Sequence, residues 1–141
     1  MATFNKFNSF VEAVAEKVHN LGTDTLKVML SNTLPVNTNA IKTDITEIAA
    51  GNGYTAGGNQ ATQFSSSQSP AGTYKLVLND PTAWTATGGS IATFRYAVLY
   101  NDTATNKELI GWWDYGSAVS LAVGDSFTVD FDPTTGVLTL A

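Results

Sequence analysis

The stretch Trp112-Trp113-Asp114-Tyr115 sets two indoles beside a carboxylate and a phenol. Residues of these types stack sugars, hold a catalytic acid, or simply pack a core beside a turn. With Glu108 upstream as a second acid, the set has the ingredients of a glycosidase, which needs two carboxylates roughly 5–10 Å apart in a cleft. Strand geometry weakens that reading. Successive side chains of a strand point to opposite sides. Leu109, Gly111, Trp113 and Tyr115 then share one uncharged face, expected in the core. Glu108, Ile110, Trp112 and Asp114 share the other, expected to look outward, with Ile110 and Trp112 as an apolar contact surface. Trp112 is then covered either by the chain's own helix or loop, or by a partner.

The remaining chemistry-bearing residues are sparse. His19 is the only histidine. It falls on the polar side of a helical stripe and is expected to face solvent, and no nucleophile elbow accompanies it. Asp125, Asp130 and Asp132 have oxygen ligands suited to Ca²⁺, but the pattern lacks the alternating ligand series of a calcium loop. Asp132, ahead of Pro133, and Asp125, after Gly124, read instead as turn residues whose carboxylates accept backbone N–H bonds. The glycines at 51, 53, 57 and 58 lack the following helix that a phosphate cradle requires. No catalytic residue, metal or cofactor is expected.

Composition narrows the class further. The 141 residues carry no cysteine, which excludes disulfides and thiolate metal sites. Charged residues make up 13% of the chain, about half the usual share. Threonine is the commonest residue, which suits strands and turns. The net charge is −5, and the seven Lys and Arg are scattered, so the clustered basic footprint of a nucleic-acid partner is missing. Neither a secretory signal nor a membrane-length apolar stretch is recognisable, which points to a soluble product made in a cytoplasm.

The elements that must position these residues follow from periodicity. Phe4, Phe7, Val11, Val14, Val18 and Leu21 form one apolar stripe, predicting an amphipathic helix over 4–21 that stops at Gly22. Ser9 with Glu12 fits a capping box, so the regular part of that helix starts at Ser9. The stripe is expected to pack on the chain's own sheet, with contact to another subunit as the alternative. Residues 25–31 alternate as a first strand, with Leu26, Val28 and Leu30 on one face. Residues 32–73 read as a loop-rich segment holding one helical turn near Asp44 to Ala49, capped by Thr43 or Asp44. From 74 to 141 the pattern predicts an antiparallel meander, with Phe94, Tyr96, Val98 and Tyr100 on one face and a last hairpin at Asp132–Gly136. The sum is a single mainly β domain, an antiparallel sandwich or barrel with one N-terminal amphipathic helix.

Two segments, "ITEIAAGNGYTAGG" and "FRYAVLYNDTATNKELIGWWDYGSAVSLAVGDSFTVDFDPTTGVLTL", resemble small structural proteins of tailed bacteriophages, a group that includes capsid decoration or cement proteins. The resemblance extends from Thr25 to the end. It implies a β-rich, homo-oligomeric, non-enzymatic component of the virion, made in the host cytoplasm and bound to the major capsid protein. It carries over no catalytic residue and no cofactor. Phe4, Phe7, Val11, Val14, Val18, Ile110 and Trp112 are the interface candidates on this reading. The alternative is a fibre or receptor-binding module in which Trp112, Tyr115 and the Gly-rich loop contact host glycan.

Overall fold

The computed structural model describes residues 2–141. In chain order the elements are β1 (Asn5–Lys6), α1 (Ser9–Ala15), β2 (Leu26–Ser31), a 3-10 turn (Lys42–Asp44), β3 (Asn59–Gln60), β4 (Gln63–Gln68) and β5 (Tyr74–Leu78). The carboxyl half adds β6 (Trp84–Thr85), β7 (Ile91–Asn101), β8 (Leu109–Leu121), β9 (Ser126–Phe127) and β10 (Leu138–Leu140). The chain is mainly β and antiparallel with one short helix near its amino end, as its strand-forming composition implies. A five-stranded sheet runs β1-β8-β7-β2-β3, a three-stranded sheet β10-β5-β4, and β6 with β9 forms a ribbon. No helix among the described residues is long and apolar enough to cross a membrane.

One core joins all three sheets. Leu26, Val28 and Leu30 of β2 meet Leu76 and Leu78 of β5, Leu138 of β10 and Trp84 of β6. The shared face of Leu26, Val28 and Leu30 in β2 is therefore as the sequence pattern predicts. A second cluster lies on the opposite face of the large sheet: Met29, Tyr96, Val98, Tyr100, Leu109 and Trp112, closed over by Phe7 and Ile45. The large sheet is thus buried on both faces, which explains the unbroken apolar run from Tyr96 to Tyr100.

The helix is shorter than its sequence stripe. It begins at Ser9 but has no side-chain cap, and it ends at Glu16 with Lys17 in the left-handed region at φ 65°. Val18 N–H reaches Ala13 C=O and Lys17 N–H reaches Val14 C=O, the paired bonds of a Schellman stop. A lysine does here what Gly22 was expected to do. Upstream, Asn5 and Lys6 pair with Trp112 and Gly111 as a strand, so Phe4 and Phe7 lie outside the helix. The buried helical positions are Phe10 and Ala13, and Val11 is half exposed at 50%.

The carboxyl half departs from a simple meander. β7 and β8 form a hairpin, but β10 pairs with β5, and β9 pairs with β6. Between the pairs Phe94↔Val119 and Tyr96↔Asp114, β8 holds more residues than β7, so Tyr115 to Ala118 bulge out of the ladder. This irregularity puts Phe94 in the main core and Tyr96 in the second cluster, separating residues expected on one face. The helical turn expected near Asp44–Ala49 is a 3-10 turn ending at Asp44, whose carboxylate reaches back to the N–H groups of Ala40 and Ile41.

Candidate functional site, an aromatic groove beside the bulge of β8

The pleat does send Trp112 and Trp113 to opposite sides, but both sides are lined by protein. Trp112 is buried at 9% and meets Tyr96 edge-on, 6.0 Å between ring centroids. Trp113 is half-buried on the main-core side, against Phe4 at 5.3 Å and Phe131 at 5.4 Å. A register shift between Leu99 and Tyr100 changes the pattern upstream: Ile110 joins the main core and Leu109 the second cluster. Leu109 is buried as expected, though in the second cluster, while Ile110, expected outward, is corrected to the main core. Gly111 is where Phe4 crosses β8, and a Cβ there would lie 2.1 Å from the Phe4 ring.

The seven interface candidates do not form one surface. Phe7 and Ile110 are fully buried and Trp112 nearly so, which removes them as contact residues. Val14 and Phe4 are half-buried against the main core. Val11 and Val18 remain exposed, because the helix turns Phe10 and Ala13 inward and stops before Val18.

His19 is also corrected. It is buried at 6%, since the helix has ended and its phase no longer applies. Its ring lies 5.5 Å from Phe10. Asn101 donates through Nδ2 to His19 Nδ1 at 3.0 Å and to Asp24 at 2.7 Å, while its Oδ1 accepts from Thr103 and Ala104. That pattern makes Nδ1 an acceptor and places the ring proton on Nε2. Burial lowers the His19 pKa, with Glu108 and Asp24 opposing.

The acids serve local structure. Arg95 donates to both carboxylate oxygens of Asp114, at 2.7 and 3.0 Å. That pair, with the Gly116 N–H, holds Asp114 below the usual carboxylate range, the opposite of a general acid. Asp132 accepts from the N–H groups of Thr134 and Thr135, and Asp125 from that of Ala122, as turn residues do. No group of three or more acids and histidines placed to hold a metal occurs among the described residues.

Two features were not singled out from the sequence. The first is a polar clasp under the Gly-rich loop. Glu47 accepts from Tyr54 Oη at 2.7 Å, Gly57 N–H at 2.5 Å and Lys42 Nζ at 3.0 Å, and Tyr100 donates to Gly57 C=O at 2.6 Å. Burial pushes the Tyr54 and Tyr100 phenols well above their ordinary range. Gly58, at φ +74°, sits so close to β2 that a Cβ would fall 1.8 Å from Val28 C=O. The glycines of this loop allow close approach to a strand, not to a phosphate.

The second is a groove of about 440 Å³ on the main-core side of β8. Its aromatic lining comes from Phe4, Phe94, Tyr96, Trp113, Tyr115, Phe127 and Phe131, with Val129 and Val137 between them. The bulge of β8 sets Tyr115 edge-on to Phe127 at 5.5 Å and leaves it 59% exposed. Asp130 and Asp132 stand among the lining residues, as does Arg95, already tied to Asp114. The volume falls in the range of built ligand and peptide sites. Its sequence signal was the alternation of Phe127, Val129 and Phe131 opposite Trp113 and Tyr115.

Comparison of the chain with protein-family models, curated proteins and solved structures finds no match.

Proposed function

We propose that this chain is a bacteriophage virion structural protein, a capsid decoration protein that stabilises the head by binding the major capsid protein lattice. The observation that carries the reading is the aromatic groove: an apolar concavity rimmed by charge, the form of a protein contact site. The resemblance of "ITEIAAGNGYTAGG" and the segment from Phe94 to Leu140 to small phage structural proteins supplies the partner class. The contact surface is therefore Trp113, Tyr115, Phe127 and Val129, in place of Ile110 and Trp112. Many weak copies on a lattice add up to a strong shell, so a modest groove suffices. The chain acts without catalysis or cofactor and assembles as a homo-oligomer on the particle.

Rebinding is the test. Purified protein added to capsids lacking it should co-sediment with them and raise their melting temperature. Trp113→Ala should weaken occupancy by about tenfold or more, as for a central aromatic anchor. Failure to rebind at every salt concentration sinks the proposal. A fibre or receptor-binding module is the second reading, favoured by one observation: Tyr115 and Trp113 border a groove that also holds Asp130 and Asp132, groups that hydrogen-bond sugar hydroxyls. Glycan-array binding lost in Tyr115→Ala would replace the first reading with this one.

A further inference from the structure

The segment after β9 is a strand without a partner. From Phe127 to Asp132 burial alternates, with Phe127, Val129 and Phe131 turned in and Thr128 and Asp130 exposed, as on the half-buried strand of a sheet. The ladder with β6 nevertheless stops at Phe127. Among the described residues, the backbone N–H groups of Thr128, Val129 and Asp130 donate to nothing, and only Phe131 N–H is held, by Asp80. All five residues from Thr128 to Asp132 border the groove. A strand showing one face to a concavity lines it with every second residue, so this run of consecutive residues borders the groove with its main-chain edge.

We infer that the groove is a vacant strand position, filled by an extended segment of a protein partner that pairs with Thr128–Asp130 and lays alternate apolar side chains over Trp113 and Phe127. Main-chain bonds supply the affinity of such strand addition, and the aromatic floor supplies the side-chain pockets. Charge decides the occupant. Asp130 is exposed and forms no ion pair among the described residues, Asp132 stands beside it, and Arg95 is already neutralised by Asp114. The bound segment therefore carries lysine or arginine beside its apolar positions. The inference rests on reading the groove as a protein contact, and it states the form the contact takes.

The probes are short synthetic peptides that alternate valine and threonine: one with lysine at both ends, one with glutamate at both ends, and one lysine-ended with alternate backbone amides N-methylated. Titration against the full chain is followed by tryptophan fluorescence and by amide hydrogen exchange. The lysine-ended peptide should bind and slow exchange by about tenfold or more at Thr128 and Asp130, whose N–H groups share the edge away from β6, and leave Val129, on the β6 edge, unchanged. The glutamate-ended peptide should bind up to about fivefold more weakly, the scale of an exposed charge contact, and Asp130→Lys should reverse that preference. The N-methylated peptide, which keeps the side chains but cannot pair, should not bind. Equal binding of the N-methylated peptide, unchanged exchange at Thr128 and Asp130 on binding, or no binding of any peptide overturns the inference. Capsid rebinding separates it from the function proposed above. Peptide pairing without rebinding rejects the decoration role alone, and rebinding with unchanged exchange at Thr128 and Asp130 rejects strand addition alone.

Discussion

The two faces of the large sheet are finished differently. On one, Phe7 and Ile45 cap Met29, Val98 and Trp112, and the Glu47 clasp ties the loop above to Tyr54 and Tyr100. On the other, the main core is sealed by the small sheet along most of its length but opens beside the bulge of β8 into the aromatic groove. Around the first face the Glu47 carboxylate and the Tyr54 and Tyr100 hydroxyls each have a partner and hold the loop shut, while the Trp112 Nε1–H is buried without one. The second leaves aromatic rings half exposed next to an unpaired strand. Burial without polar satisfaction is costly, whereas exposed aromatics cost little until something covers them. The closed lid marks the side built for stability, and the open groove is the side on which the proposed contact rests.

Truncations on the two sides should separate in size. Phe7→Ala, which empties a fully buried site, should cost about 3–5 kcal/mol in denaturant unfolding. Glu47→Ala should cost about 2–3 kcal/mol by leaving the Gly57 N–H and Tyr54 hydroxyl without their acceptor. Trp113→Ala should cost about 2 kcal/mol, because the ring is only partly buried, and on the proposed decoration role it should weaken capsid occupancy about tenfold. Equal losses for Phe7→Ala and Trp113→Ala would break the comparison. Tyr115→Ala, at the mouth of the groove, should change stability by less than about 0.5 kcal/mol.

Protons probe a third sealed spot. His19 is buried with its pKa lowered from 6.5, so the unfolded chain takes up a proton before the folded one does. The stability it protects is complete above pH 6.5 and is lost as pH falls from there through the lowered folded value. Melting curves across this window should slope downward toward acid, and His19→Gln should flatten the slope. A slope unchanged in His19→Gln would show that the ring is solvated.

The legible parts of the fold were those where one period ran unbroken. Leu26, Val28 and Leu30 of β2 share one face, and they sit in the main core as the pattern predicts. The turn roles of Asp125 and Asp132 were equally readable, since a carboxylate within three residues of free N–H groups is a local matter, reaching back to Ala122 in one case and forward to Thr134 in the other. Errors arose where the period changed without a marker. Phe4, Phe7, Val11 and Val18 mimic a helical stripe, but pairing of Asn5 with Trp112 is a tertiary choice that outweighs helical propensity. Lys17 in the left-handed region gives no sequence warning of a stop. The bulges at Ile110 and Tyr115 shift side chains between faces, and no residue type announces them. The apolar run Tyr96–Tyr100 fits a sheet covered on both faces, but the alternation was read as one buried face, and so Trp112 was expected outward although it is buried.

The pairing of Asn5 with Trp112 has a consequence during synthesis. Phe4 and Phe7 leave the ribosome long before the strand that shelters them, with a separation in sequence of 107 residues. At roughly 5–20 residues per second, that interval lasts on the order of 5–20 seconds. Through it Phe4 and Phe7 have no β8 to pack against. The fold closes only when its first strand is stitched to one of its last.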